Sequence, residues 1–129
     1  MITYGFTREV DLSFKDAVAR VTALLKQEGF GVLSKIDIRE KFKEKLGIDF
    51  RNYVILGSCH PRSAYKAIVA EEDIGLMLPC NVIVYDRAGR TVVSVIKPTV
   101  AMGMIQNSGL KQIAEDIEHK LNRVIEELQ

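Results

Sequence analysis

Val82-Ile83-Val84-Tyr85-Asp86-Arg87-Ala88-Gly89-Arg90, with Val92-Val93-Ser94-Val95-Ile96 close behind, is the stretch on which the fold turns. Two β-branched runs joined through Asp86–Arg90, with Gly89 in the connection, read as a hairpin. Upstream, Tyr53-Val54-Ile55-Leu56 is a nearly continuous apolar run, the pattern of an interior strand. Pro61 is suited to the first turn of a following helix, with Ala64, Ala67 and Ile68 on its inner face. Nearer the N-terminus, residues 1–8 alternate as a strand, with Ile2, Tyr4 and Phe6 set against Thr3, Thr7 and Arg8. Ser13 then caps a helix whose Phe14, Val18, Val21 and Leu25 form one stripe, and Gly29 stops it. Phe30–Ile36 is a second strand, and Asp37 opens a short helix with Ile38, Phe42 and Leu46 on one face, ended by Gly47.

Past the hairpin, Pro98–Asn107 holds at most one loose helical turn. From Ser108 the spacing of Leu110, Ile113, Ile117, Leu121, Val124 and Leu128 predicts a long amphipathic helix. That helix could cover the sheet or form a subunit contact. The order βαβαβαββα, without repeat, linker or low-complexity tract, predicts a single α+β domain over residues 1–129. Its expected core is a mixed β-sheet of about five strands with helices packed on it.

A chain of 129 residues can bury a sizeable core without covalent staples. Its composition, 47% hydrophobic and 27% charged, is that of a water-soluble globule. A formal net charge of +1 supplies no field to recruit nucleic acid or a membrane surface. The basic stretch Arg39–Lys45 is interrupted by Glu40 and Glu44, which makes it a solvated helix face, so no nucleic-acid partner is expected. No run approaches the ~18 apolar residues of a transmembrane helix, and the opening strand is no signal peptide. A cytoplasmic location is the default expectation, and with it free thiols.

Chemistry gathers in two elements: Gly57-Ser58-Cys59-His60-Pro61 and Leu78-Pro79-Cys80. They hold the chain's only two cysteines and one of its two histidines. Cys59 falls where a strand ends and a helix begins, so unpaired backbone N–H groups and the helix dipole favour its thiolate, and a protonated His60 would add to that. Buried packing as a small hydrophobe is the competing role for Cys59, and more so for Cys80. Whether the two meet depends on strand direction. Parallel neighbours would part them by a strand length, ~20 Å, whereas a loop crossing back at Leu76–Pro79 would let them meet.

Cys59, His60 and Cys80 are the candidate ligand-binding residues of a homodimer expected to hold a small ligand or a soft metal ion in a pocket containing Cys59 and Cys80. As metal ligands they suit zinc or a soft ion such as copper(I), although adjacent strand residues point to opposite faces and no paired C-x-x-C or H-x-x-x-H spacing occurs. Met77, Met102 and Met104 are further soft donors or core filler. Alternatively Cys59 is the reactive group of a thiol or sulfur enzyme or persulfide carrier, with His60 as proton partner and Cys80 as resolving thiol. A third role is a structural or regulatory dimer with inert cysteines. His119 lies on a polar helix face, and Glu71-Glu72-Asp73 reads as a solvent-facing helix end. No G-x-G-x-x-G, Walker or G-x-S-x-G element is present, and the sequence names no cofactor.

The run Val54-Ile55-Leu56-Gly57-Ser58-Cys59-His60-Pro61, then Ala64 and Ala67, then Gly75-Leu76-Met77-Leu78-Pro79-Cys80-Asn81-Val82, closely resembles the bacterial and archaeal family called domain of unknown function 302. That family typically carries leucine-glycine-x-cysteine-asparagine-proline followed by leucine-leucine-proline-cysteine. The resemblance spans most of the chain, including the hairpin, Pro98 and the closing helix. It implies a compact α+β fold, a homodimer, and Cys59 and Cys80 acting as a pair. It implies no activity. His60 departs from the family's usual asparagine.

Overall fold

The structure, a computed structural model, describes residues 2–128. Met1 of the predicted first strand and Gln129 at the chain end lie outside the described residues. The first strand is β1 (Gly5–Val10), starting later than the alternation suggested. Helix α1 (Phe14–Gln27) follows, with Ser13 Oγ accepting the Asp16 N–H at 3.1 Å as its cap. Then come β2 (Gly31–Asp37), α2 (Ile38–Leu46), β3 (Tyr53–Cys59) and α3 (Pro61–Ala70). A 3₁₀ helix, Glu72–Met77, leads into β4 (Cys80–Arg87) and β5 (Arg90–Ile96). One turn of helix, α4 (Pro98–Ala101), precedes the long α5 (Ser108–Glu127).

The α+β class holds. The sheet, however, has the order β1-β5-β4-β3-β2 and every neighbouring pair is antiparallel, so it is not mixed. Helix length explains the difference. Returning a chain to a parallel neighbour needs a crossover that spans the strand, about 23 Å for seven residues. The nine residues of α2 cover only about 13 Å. Helix α3 is hardly longer, and the 3₁₀ helix after it turns the chain back. Both connections therefore behave as elaborated hairpin loops. Only α1, about 21 Å long, makes a true crossing, carrying the chain from one sheet edge to the other.

The predicted hairpin is tighter than expected. Its strands run on to Arg87 and Arg90, leaving a two-residue turn in which Ala88 and Gly89 both take positive φ, 51° and 80°. That is the turn geometry whose twist matches paired strands.

One face of the sheet is dry. Val54 and Leu56 of β3, Val82 and Val84 of β4, and Val93 and Val95 of β5 meet Val21, Leu24 and Leu25 of α1 and Ile117, Leu121 and Val124 of α5. The stripe predicted for α5 is thus spent on the sheet. A smaller cluster of Ala67, Ile74, Met102, Leu110 and Ala114 joins α3, the 3₁₀ helix, α4 and α5. Of the inner face predicted for α3, Ala67 is buried but Ile68 is 45% exposed, because the next residue on a helix is turned about 100° away from the contact. No described helix is long and apolar enough to cross a membrane.

Leu121 is fully buried between α5 and the sheet. Leu121→Ala should lower unfolding free energy by about 2–5 kcal/mol, measured by urea denaturation with an unchanged slope.

Candidate functional site

Residue alternation along β3 and β4 assembles the site. Val54 and Leu56 face the core, and so does Ser58, which has no exposed surface. Its register partner on β4 is Cys80, on the same core face as Val82 and Val84. Ser58 Oγ donates a 2.7 Å hydrogen bond to the Cys80 carbonyl, satisfying a hydroxyl that would otherwise be buried unpaired. Because the strands are antiparallel, the exit of β3 lies beside the start of β4. The two cysteines are therefore neighbours, not a strand length apart. Both thiols are free, Cys59 half-buried and Cys80 buried. They line one small, partly enclosed cavity of about 10 Å³, together with Phe30, Ser58, His60, Ala64, Ala67 and Met102. Ser58 passed unremarked in the sequence; only the register shows that it clamps Cys80.

Burial, and secondarily the neighbouring Cys59 thiol, push the Cys80 thiol up to about 11. Cys80 is thus a neutral S–H at ordinary pH, as expected of a thiol in apolar surroundings.

His60 has another task. It is the N-cap of α3, and its Nδ1 accepts the Ser63 N–H at 3.4 Å. Asparagine, usual here in the resembled family, is among the best N-cap residues, so the departure conserves a role while changing the side chain. The imidazole stands edge-on to Phe30, with centroids 5.2 Å apart, and Gly29 at φ 88° makes room for it. A Cβ on Gly29 would come within 3.0 Å of His60 Nε2. Burial and the positive charges of Lys120 and Arg62 lower the His60 pKa, so at neutral pH the ring is uncharged with its proton on Nε2. It brings no imidazolium to Cys59, contrary to the expectation from the sequence.

Among the described residues, no three His, Cys, Asp or Glu side chains converge as a cation site. Cys59, His60 and Cys80 are close in the fold but do not form that cluster. His119 is exposed. The Glu71–Asp73 run starts the 3₁₀ helix, where Glu71 accepts a hydrogen bond from Asn107 Nδ2 at 3.2 Å.

The model of the family described as domain of unknown function DUF302 matches residues 6–128. The chain belongs to the DUF302 family. Among solved structures, it is similar to that of an uncharacterized conserved DUF302 protein from Bacillus stearothermophilus, at 36% sequence identity and a TM-score of 0.92. That match covers 99% of this chain and 100% of the other. No curated protein matches. Membership of the DUF302 family accounts for the fold.

Two pH dependences follow. Folded Cys80 holds its proton more tightly than the unfolded chain, so its contribution to stability is whole below the ordinary thiol value of 9.0 and is lost as pH climbs toward about 11. His60 is the reverse case: its contribution is whole above the ordinary value of 6.5 and is lost as pH falls below that toward the depressed folded value. Denaturation midpoints should decline at both ends, the alkaline decline shallower in Cys80→Ala and the acid decline shallower in His60→Asn. At pH 7.5, His60→Ala should cost about 1 kcal/mol and His60→Asn almost nothing.

Proposed function

We propose that this DUF302 domain acts as a homodimer that binds a soft metal ion between Cys59 and Cys80. The observation that carries this reading is the shared cavity. Two cysteines with free thiols line a partly enclosed space of about 10 Å³, the room of a single water molecule or ion. An organic ligand would need a site of roughly 300 Å³ or more, so of the two guests suggested by the sequence the ion fits better. Binding would proceed by loss of thiol protons to solvent as metal–sulfur bonds form, which offsets the cost of ionising Cys80 in apolar surroundings.

The dimer half of the reading is supported by the sheet's second face. The helices leave that face open, and Tyr53 and Tyr85 stack on it with centroids 5.3 Å apart. Ile83 and Asn81 stand beside them in a broad concavity of about 820 Å³. With the apolar stripe of α5 already used, this face is the better candidate for a subunit contact.

Thiol chemistry is the second reading. It is favoured by the asymmetry of the pair: a half-buried Cys59 placed to attack and a buried Cys80 placed to resolve.

Native mass spectrometry of protein purified without chelators should show a dimer carrying metal. The metal should vanish in Cys59→Ser/Cys80→Ser, and the dimer should fall apart in Ile83→Arg. A metal-free dimer whose Cys59 is alkylated with a midpoint well below ~8.5 would replace metal binding by thiol chemistry. Metal-free protein with two slow thiols would leave the cysteines as packing.

A further inference from the structure

We propose that the ion is copper(I), with the Met102 thioether as third ligand beside the Cys59 and Cys80 sulfurs, and that it reaches them through an opening lined by Met77. This rests on the two-thiol reading above and adds the identity of the ion and its route.

The wall between two cavities carries the inference. Leu78, Pro79, Cys80 and Met102 line the small space shared with Cys59. The same four residues line a second cavity of about 230 Å³, which Met77 also lines, along with Leu76 and Pro98. Cys80 and Met102 therefore border both, and the larger cavity is the available approach to a cysteine that is otherwise only 6% exposed. Its lining is apolar apart from Asn81, with sulfur as its remaining donor chemistry.

The donor set then selects among metals. A structural zinc ion takes four nitrogen, sulfur or carboxylate ligands in a tetrahedron. Among the described residues no three such side chains converge, and His60 Nδ1 is engaged as the α3 cap. Ser58 also lines the small cavity, with its hydroxyl spent on the Cys80 carbonyl, so the side-chain donors left there are the sulfurs of two cysteines and one methionine. Thiolate and thioether donors favour copper(I), a soft ion content with two or three ligands. Met102 is 5% exposed and packs with Ala67, Ile74, Leu110 and Ala114, so a purely filling role is the alternative the test has to separate. Leucine keeps its volume and removes its sulfur.

The test is an anaerobic titration of the reduced protein with copper(I) held by a competing chromogenic chelator, run beside zinc(II). Wild type should withdraw one copper(I) per chain and leave zinc largely free. Met102→Leu should keep its melting temperature and weaken copper affinity by about tenfold or more. Met77→Leu should slow loading at unchanged affinity. X-ray absorption of the loaded protein should report a sulfur-only shell that loses one scatterer in Met102→Leu. Zinc held as firmly as copper, or wild-type copper affinity in Met102→Leu, overturns the choice of ion and third ligand while the two-thiol site stands. Unchanged loading in Met77→Leu overturns the route. Uptake of neither metal by wild type overturns the two-thiol reading itself.

Discussion

Everything distinctive about this molecule depends on the antiparallel register that sets Ser58 opposite Cys80. A hydroxyl with no exposed surface and a carbonyl at a strand start satisfy each other there at 2.7 Å. Slipping β3 by one residue against β4 would turn Val54 and Leu56 away from α1 and α5 and put Tyr53 into the core. The buried polar pair and the dry face thus specify the same alignment. That alignment also brings the exit of β3 against the start of β4, so cysteines 21 positions apart in sequence become neighbours. Site and core are consequences of one register.

How much of this was legible beforehand divides along physical lines. Local signals were read well: the Ser13 and Asp37 caps, Pro61 opening α3, positive φ at Gly29, and the amphipathic period of α5 all act within a few residues of where they are written. Strand direction was not, because it depends on whether a helix is long enough to cross the sheet, and α2 and α3 are too short. The sheet expected as mixed is therefore wholly antiparallel. The error bore directly on the site, since a parallel pairing was what would have held the thiols a strand length apart. Ile68 was misplaced for a related reason. Apolar character shows that a residue can be buried, but the choice between Ala67 and Ile68 belongs to the docking angle of α3.

His60 shows how a chemically suggestive residue can be held by structure. The imidazole has two nitrogens, and α3 takes one of them. An accepting Nδ1 requires a neutral ring, and the nearby positive charges of Lys120 and Arg62 reinforce that state. A side chain that caps a helix through a lone pair cannot also be a cation assisting a thiolate. Capping is also something asparagine does well, so the position can exchange these residue types at little cost. The sequence displayed the imidazole; the use of its lone pair depended on where the Ser63 N–H came to lie.

Burial of Cys80 looks at first like evidence against any chemistry, since apolar surroundings hold the thiol protonated up to about 11. The same burial would make the proposed site selective. A thiol in water exchanges with many soft ions and oxidants, whereas one reached by the proposed route past Met77 and backed by Phe30, Ala64 and Ala67 would be offered only small guests. Metal–sulfur bonds would have to outweigh the cost of burying charge there, because two thiolates sharing one monovalent cation carry a net negative charge where the protonated thiols carried none. The raised Cys80 pKa and the small void are therefore compatible with the proposed metal site only if metal–sulfur bonding outweighs the cost of ionising Cys80.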